Sequence, residues 1–262
     1  AEVAIALFAT AAAGGTFVVM NEKLKEKGVS KILSQAEPTA VIADTATIEN
    51  IPAEGPNLRI AIGDSAPENW FSWADATATT PLAPVRRDGI DVDVASLVFT
   101  SGSTGTPRGV TLSHHNIRFV VTAIQARLQY HEDDVVGCFL PLAFDYGLYQ
   151  IFLAAESGAT LFIGDPDQVG PKLPSIMREA EVSVLPGVPA VYAALMMLHK
   201  RRPYELPKLR GITNTGERLP LAYIEQMQAM FPGLDVFVMY GLTECKRVSI
   251  MTPAEFKVKT ES

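Results

Sequence analysis

Ten consecutive residues, Thr100-Ser101-Gly102-Ser103-Thr104-Gly105-Thr106-Pro107-Arg108-Gly109, combine the groups needed to hold a polyanion. Glycines let backbone N–H groups approach phosphate oxygens, the hydroxyls add donors, and Arg108 offsets negative charge. The run directly follows the strand-like Ser96-Leu97-Val98-Phe99 and leads into the apolar Gly109–Leu112. That placement predicts a tight connection between two strands and argues against a flexible linker. No Gly-x4-Gly-Lys-Ser/Thr spacing fits, so this is not a Walker A loop. Other chemistries find less support. His114, His115, His131 and His199 show no metal-ligand spacing, and no Ser or Cys sits in a nucleophile elbow.

With the Val110-Thr111-Leu112-Ser113-His114 that follows it, the loop resembles the hallmark of the adenylate-forming (AMP-forming) family, which includes acyl-CoA synthetases and adenylation domains. That hallmark ends in Pro-Lys-Gly; here Arg108 replaces the Lys, keeping the charge and changing its geometry. Downstream, Val238-Met239-Tyr240-Gly241-Leu242-Thr243-Glu244 resembles the family's Tyr-Gly-x-Thr-Glu motif. The resemblance implies that Tyr240 and Gly241 border adenine, with Tyr240 stacking on it. It gives Thr243 the α-phosphate and Glu244 a magnesium ion, for which a hard carboxylate oxygen is suited. Thr100, Ser101, Gly102, Ser103, Thr104, Gly105, Thr106 and Arg108 would then hold the β- and γ-phosphates. Thr215, Gly216 and Glu217, within Thr213–Pro220, resemble the loop beside the adenine; they precede Tyr240, so they are not the ribose-binding Thr-Gly-Asp.

Two further segments bear on the acid. Phe139–Gly147 is similar to a family region where many acyl-CoA ligases carry His, at the place of Phe144 here. Amino-acid-activating relatives carry Phe-Asp there, which implies an ammonium partner in Asp145; an N-cap of the following helix suits an Asp equally well. Leu185-Pro186-Gly187-Val188-Pro189 resembles the turn lining the acyl pocket, and also reads as plain strand-to-helix punctuation. The reaction implied is ATP-dependent formation of an acyl-adenylate with release of pyrophosphate, then transfer to a thiol. An acyl-CoA synthetase is the leading expectation. An amino-acid ligase serving carrier-protein phosphopantetheine, or an inactive ATP-binding fragment, is the alternative.

These motifs need strands and helices to place them. Strand-like runs at 95–100, 109–112, 135–139, 159–163, 182–185, 210–214 and 234–239 alternate with helical patterns at 115–130, 146–157, 171–180, 188–200 and 219–230. The alternation predicts an α/β fold of layered, largely parallel sheets flanked by helices, with ligands at the carboxyl ends of strands. Ala1–Ala13 reads as a buried helix before a strand at 16–20, residues near 21–38 as a helix capped by Asn21, and 39–43 and 58–62 as short strands. Residues 63–93 read as surface connection. The expected organisation is a partial first α/β subdomain over 1–94 and a motif-bearing one over 95–262. Without an initiator Met, and with no ribose motif after Glu244, the chain is expected to be the central part of a larger enzyme, its small C-terminal domain absent.

With 262 residues and 48% hydrophobic content, a substantial core is available. A net charge of −7 argues against broad nucleic-acid binding, which needs a concentrated basic surface. The apolar opening is split by Gly14-Gly15 before it could span a membrane. Two distant cysteines, Cys138 and Cys245, are expected to be reduced thiols in a cytoplasmic protein.

Overall fold

A computed structural model describes residues 1–78, 89–100 and 107–260, the last four of these by backbone alone. The backbone divides into two compact units, Ala1–His114 and His115–Ser262.

In the first unit, α1 (Glu2–Ala12) and α2 (Glu26–Ala36) precede a parallel three-stranded sheet of β1 (Ala40–Asp44), β2 (Leu58–Ile62) and β3 (Phe71–Ser72). A short helix, α3 (Trp73–Ala78), follows. The unit ends in an antiparallel pair, β4 (Val94–Thr100) with β5 (Arg108–Ser113). Four expectations change here. The opening helix is apolar but only partly covered: Leu7 alone is fully buried, while Ile5 and Phe8 are about half exposed. Residues 16–20 form no strand, only a single parallel bridge from Phe17 to Ser96. Asn21 does not cap a helix; its Oδ1 accepts from the Lys23 N–H, and the helix starts after Lys25. The stretch 63–93, read as connection, contains β3 and α3.

The second unit opens with α4 (His114–Leu128) and is built on a six-stranded sheet. In chain order come β6 (Val135–Cys138), α5 (Asp145–Ser157), β7 (Thr160–Ile163), α6 (Leu173–Glu179), β8 (Val184–Gly187), α7 (Pro189–Arg201), β9 (Gly211–Asn214), α8 (Leu221–Met230) and β10 (Asp235–Tyr240). The last strand, β11 (Ser249–Met251), precedes α9 (Pro253–Thr260). The strand order is β11-β10-β9-β8-β6-β7, parallel throughout except for β11.

Alternation along each parallel strand sends residues to opposite faces. On one face Leu185 and Ile212 join Leu173, Tyr192 and Met227 from the helices in a continuous core. The other face carries α5, buried along Tyr146–Ala154, as expected of a helix apolar on all sides. Several polar groups inside this layer are paired. Tyr146 donates to the Thr213 carbonyl, Tyr130 donates to Gln150 Oε1 at 3.1 Å, and Gln150 Nε2 donates to the Tyr146 carbonyl at 3.0 Å. The amino-terminal end of the sheet is held by Asp134. It accepts from the His131 N–H at 2.8 Å, Ser183 Oγ at 2.7 Å and Arg210 Nε at 2.7 Å, drawing together the entries to β6, β8 and β9.

Candidate active site

The parallel register decides where the second unit can bind a ligand. Gly187 of β8 is level with Asn214 of β9, and Asn214 with Val238 of β10. The residues that leave these strands therefore emerge at one end of the sheet: Val188 after β8, Thr215-Gly216-Glu217 after β9, and Gly241–Glu244 after Tyr240. The loop after β6 delivers Phe144 and Asp145 to the head of α5. With Tyr240 at the end of β10, ten of the sequence-predicted positions thus share the carboxyl-terminal end of one sheet, as such folds favour. Thr215 is buried at 4% exposure, Gly216 adopts φ +85°, and Glu217 and Tyr240 are exposed.

The segment between β10 and β11 is a tight turn. The N–H groups of Cys245 and Lys246 both donate to the Leu242 carbonyl, at 3.2 and 2.6 Å, and Val248 N–H donates to the Tyr240 carbonyl at 2.8 Å. A Cβ at Gly241 would overlap the Lys246 carbonyl oxygen, so only glycine fits. Lys246 itself takes the left-handed conformation, φ +58°. Its side chain folds under the turn and Nζ donates to the Thr243 carbonyl at 2.8 Å. Thr243 is partly buried and Glu244 exposed on the outer side of the same turn.

Asp145 faces this turn. It is not the N-cap of α5: that position belongs to Phe144, whose side chain makes no capping bond. The Asp145 carboxylate instead lies 3.6 Å from Arg247 Nη1 and 4.0 Å from Lys246 Nζ. Both cations are almost wholly covered, with side chains 6% and 3% exposed. Lys246 Nζ lies 5.2 Å from the centre of the Tyr149 ring, and the Arg247 guanidinium 5.1 Å from that of Tyr146. Burial lowers the Lys246 ammonium below its usual range, and the charge of Asp145 offsets part of the fall. Two buried cations thus share one carboxylate.

The hydrogen-bond inventory here is incomplete. Among the described residues five side-chain atoms are buried without partners; two, Ser96 Oγ and Gln125 Oε1, lie elsewhere, and the other three are Tyr149 Oη, Asn214 Oδ1 and Arg247 Nε. All three belong to this end of the sheet or to the Asp145 cluster. Native interiors leave few such groups, so their concentration marks a place where a ligand can complete the bonding. Arg247 also lines a cleft of about 540 Å³ together with Phe119, Ile124, Arg127, Ile250 and Met251. Neither Lys246 nor Arg247 was singled out by the sequence. The one signal was a pair of cations two and three residues beyond Glu244.

In the first unit, Thr100 ends β4 and Arg108 begins β5, directly paired, with Thr100 Oγ1 3.5 Å from the Arg108 carbonyl. Arg108 is exposed. Ser101, Gly102, Ser103, Thr104, Gly105 and Thr106, the rest of the expected phosphate-holding segment, lie outside the described residues. Among the described residues no cluster of three His, Cys, Asp or Glu forms. Magnesium characteristically takes one or two carboxylates with substrate phosphates and water, which a single exposed Glu244 suits. Cys138 and Cys245 are both free thiols. No helix among the described residues is long and apolar enough to cross a membrane.

Comparison with known proteins places this geometry in context. The family model described as AMP-binding enzyme matches residues 1–262. The chain is 29% identical to an L-proline--[L-prolyl-carrier protein] ligase of Streptomyces coelicolor, over 91% of this chain and 47% of that protein. It is 25% identical to 4-coumarate--CoA ligase 1 of Arabidopsis thaliana, over 96% of this chain and 47% of that protein. The chain spans less than half the length of these curated relatives. Among solved structures, the complex of VinN with L-aspartate superposes with a TM-score of 0.80 at 30% identity, covering 97% of this chain and 64% of VinN.

Proposed function

This chain belongs to the AMP-binding enzyme family, and from that premise we propose that its protein activates an amino acid bearing a second acidic group. In the proposed reaction a carboxylate oxygen attacks the α-phosphorus of ATP. The bond to the bridging oxygen breaks, pyrophosphate leaves, and an acyl-adenylate forms. A thiol then attacks the acyl carbon and AMP departs; carrier-protein phosphopantetheine is the proposed acceptor, in line with the name of the prolyl relative. The residues at the sheet end contribute positioning and charge neutralisation. Tyr240 gives an open aromatic face for adenine, Thr243 a hydroxyl for an α-phosphate oxygen, and Glu244 would hold the magnesium ion that neutralises phosphate charge.

The observation that carries the choice of acid is the Asp145 cluster. A fatty or aromatic acid offers no cation for Asp145 and no second anion for Arg247. An amino diacid offers both: its ammonium meets Asp145, and its second carboxylate meets the unpartnered Arg247 Nε and its fork. Solved complexes of VinN with L-aspartate and with 3-methylaspartate lend support to a ligand of this kind.

The test is ATP–pyrophosphate exchange with L-aspartate, neutral amino acids, and fatty and aromatic acids offered separately. L-Aspartate or a close analogue is expected to drive exchange. Arg247→Gln should lower its kcat/KM about 100-fold or more, as loss of one partner of a buried charge pair does. Exchange driven only by fatty or aromatic acids would replace this reading with that of a CoA ligase.

A further inference from the structure

We infer that Lys246 is a positioning residue that couples occupation of the acid subsite at Asp145 to the Thr243–Glu244 turn, so that acid and nucleotide bind with positive cooperativity. The inference rests on the amino-acid reading of Asp145 given above.

Lys246 stands between the two sites. Its backbone closes the turn through the 2.6 Å bond to the Leu242 carbonyl, and its Nζ holds the Thr243 carbonyl at 2.8 Å. The same Nζ is 4.0 Å from Asp145, near enough for strong attraction and too far for a hydrogen bond. One ammonium is therefore drawn toward Asp145 on one side and Thr243 on the other. A ligand ammonium arriving at Asp145 competes for that carboxylate and repels Lys246. Both effects strengthen the hold of Nζ on the Thr243 carbonyl and steady the turn that presents Thr243 and Glu244.

Charge acts in the same direction. Once Asp145 is engaged by a ligand ammonium and Arg247 by the ligand's second carboxylate, the positive charge of Lys246 is less compensated, and a polyanionic nucleotide beside Thr243 restores the balance. Coupling between two sites is reciprocal, so nucleotide must favour the acid by the same factor.

The experiment is a calorimetric titration of the protein with the magnesium complex of α,β-methylene-ATP, which cannot transfer its adenylyl group, with and without saturating L-aspartate. Wild-type protein is expected to bind the nucleotide about tenfold tighter with L-aspartate present, within the usual range of coupling. In Lys246→Met, which keeps the apolar stem, the factor should fall to about one while each probe still binds alone. A second readout needs no substitution. L-Aspartate alone should slow amide exchange at Cys245 and Lys246, the donors to the Leu242 carbonyl. Independent binding of the two probes in wild type, unchanged coupling in Lys246→Met, or unchanged exchange at those amides would each overturn the positioning role and leave the acid assignment standing. If L-aspartate binds in neither the presence nor the absence of nucleotide, both fall.

Discussion

Gly241→Ala tests the site through one methyl group. The added Cβ would coincide with the Lys246 carbonyl oxygen and approach Arg247 Cα at 3.0 Å. Every atom it meets is backbone, so no side-chain rotation can relieve the clash. Relief requires the 242–247 segment to move outward by roughly 1–2 Å, given that real carbon–oxygen contacts need about 3.3 Å or more. Three backbone bonds hold that segment in place: those from Cys245 and Lys246 to Leu242, and from Val248 to Tyr240. At about 1 kcal/mol net for each, the substitution should destabilise the protein by about 2–3 kcal/mol. The effect on activity should be larger than stability alone explains, because Thr243 and Glu244 ride on the same turn. A displacement of this size at a reacting centre costs on the order of 100-fold in rate. Pyrophosphate exchange measured well below the melting temperature, with circular dichroism confirming the fold, separates the two effects. If Gly241→Ala exchanges at the wild-type rate, the turn does not position groups for the chemistry.

Two other outcomes check separate parts of the argument. Tyr240→Ala should raise the KM for ATP about tenfold or more, from the loss of a base–aromatic stack worth about 1–3 kcal/mol, while Tyr240→Phe keeps it. Asp134→Ala should destabilise the fold by about 3 kcal/mol in urea unfolding at pH 7, because it leaves Arg210 facing an emptied, largely buried site. Burial raises the Asp134 carboxyl, but hydrogen bonds from Arg210, the His131 N–H and Ser183 outweigh it, and its pKa is lowered in the fold. Its contribution is therefore complete above the ordinary Asp value near 3.8 and disappears as pH falls through the lower folded value. The gap between wild type and variant should close over that acid window.

The second unit was largely legible in the sequence. Runs expected at 135–139, 159–163, 210–214 and 234–239 are Val135–Cys138, Thr160–Ile163, Gly211–Asn214 and Asp235–Tyr240. Short apolar strands between helices buried on one side leave a strong local pattern, and parallel crossovers constrain the rest. Where local pattern is weak, the sequence was silent. β11 has only three residues and pairs antiparallel; β4 and β5 were both expected as strands, but their antiparallel pairing breaks the parallel rhythm that their neighbours suggest. α1 misled for a different reason. Its composition is apolar all round, but composition does not say which faces find partners. The proposed acid subsite was half visible. Asp145 stood out by its neighbours in the chain, whereas its pairing with Lys246 and Arg247 joins positions about a hundred residues apart. That contact is set by the register of β10 against β9 and by the fold-back into β11, neither of which any local window contains.

That fold-back distinguishes this corner of the sheet. After β6, β8 and β9 the chain passes into helices, so those strand ends deliver single side chains from loops. After β10 it reverses, and an antiparallel β11 returns the backbone across the sheet end. The reversal needs a glycine at 241 and a residue at 246 with positive φ. For the turn alone, glycine would serve at 246 as well, and a side chain there costs about 1 kcal/mol or more in backbone strain. A lysine at φ +58°, buried to 2% exposure and desolvated, is costly twice over. Its backbone position offers no return for that. Its ammonium does, because from that one point it reaches the Thr243 carbonyl, the Tyr149 ring and the field of Asp145. The side chain, and not the turn, explains the residue. A strained backbone held in place by a buried charge, between the proposed acid subsite and the proposed nucleotide turn, is the arrangement expected where two substrates must be aligned before either reacts.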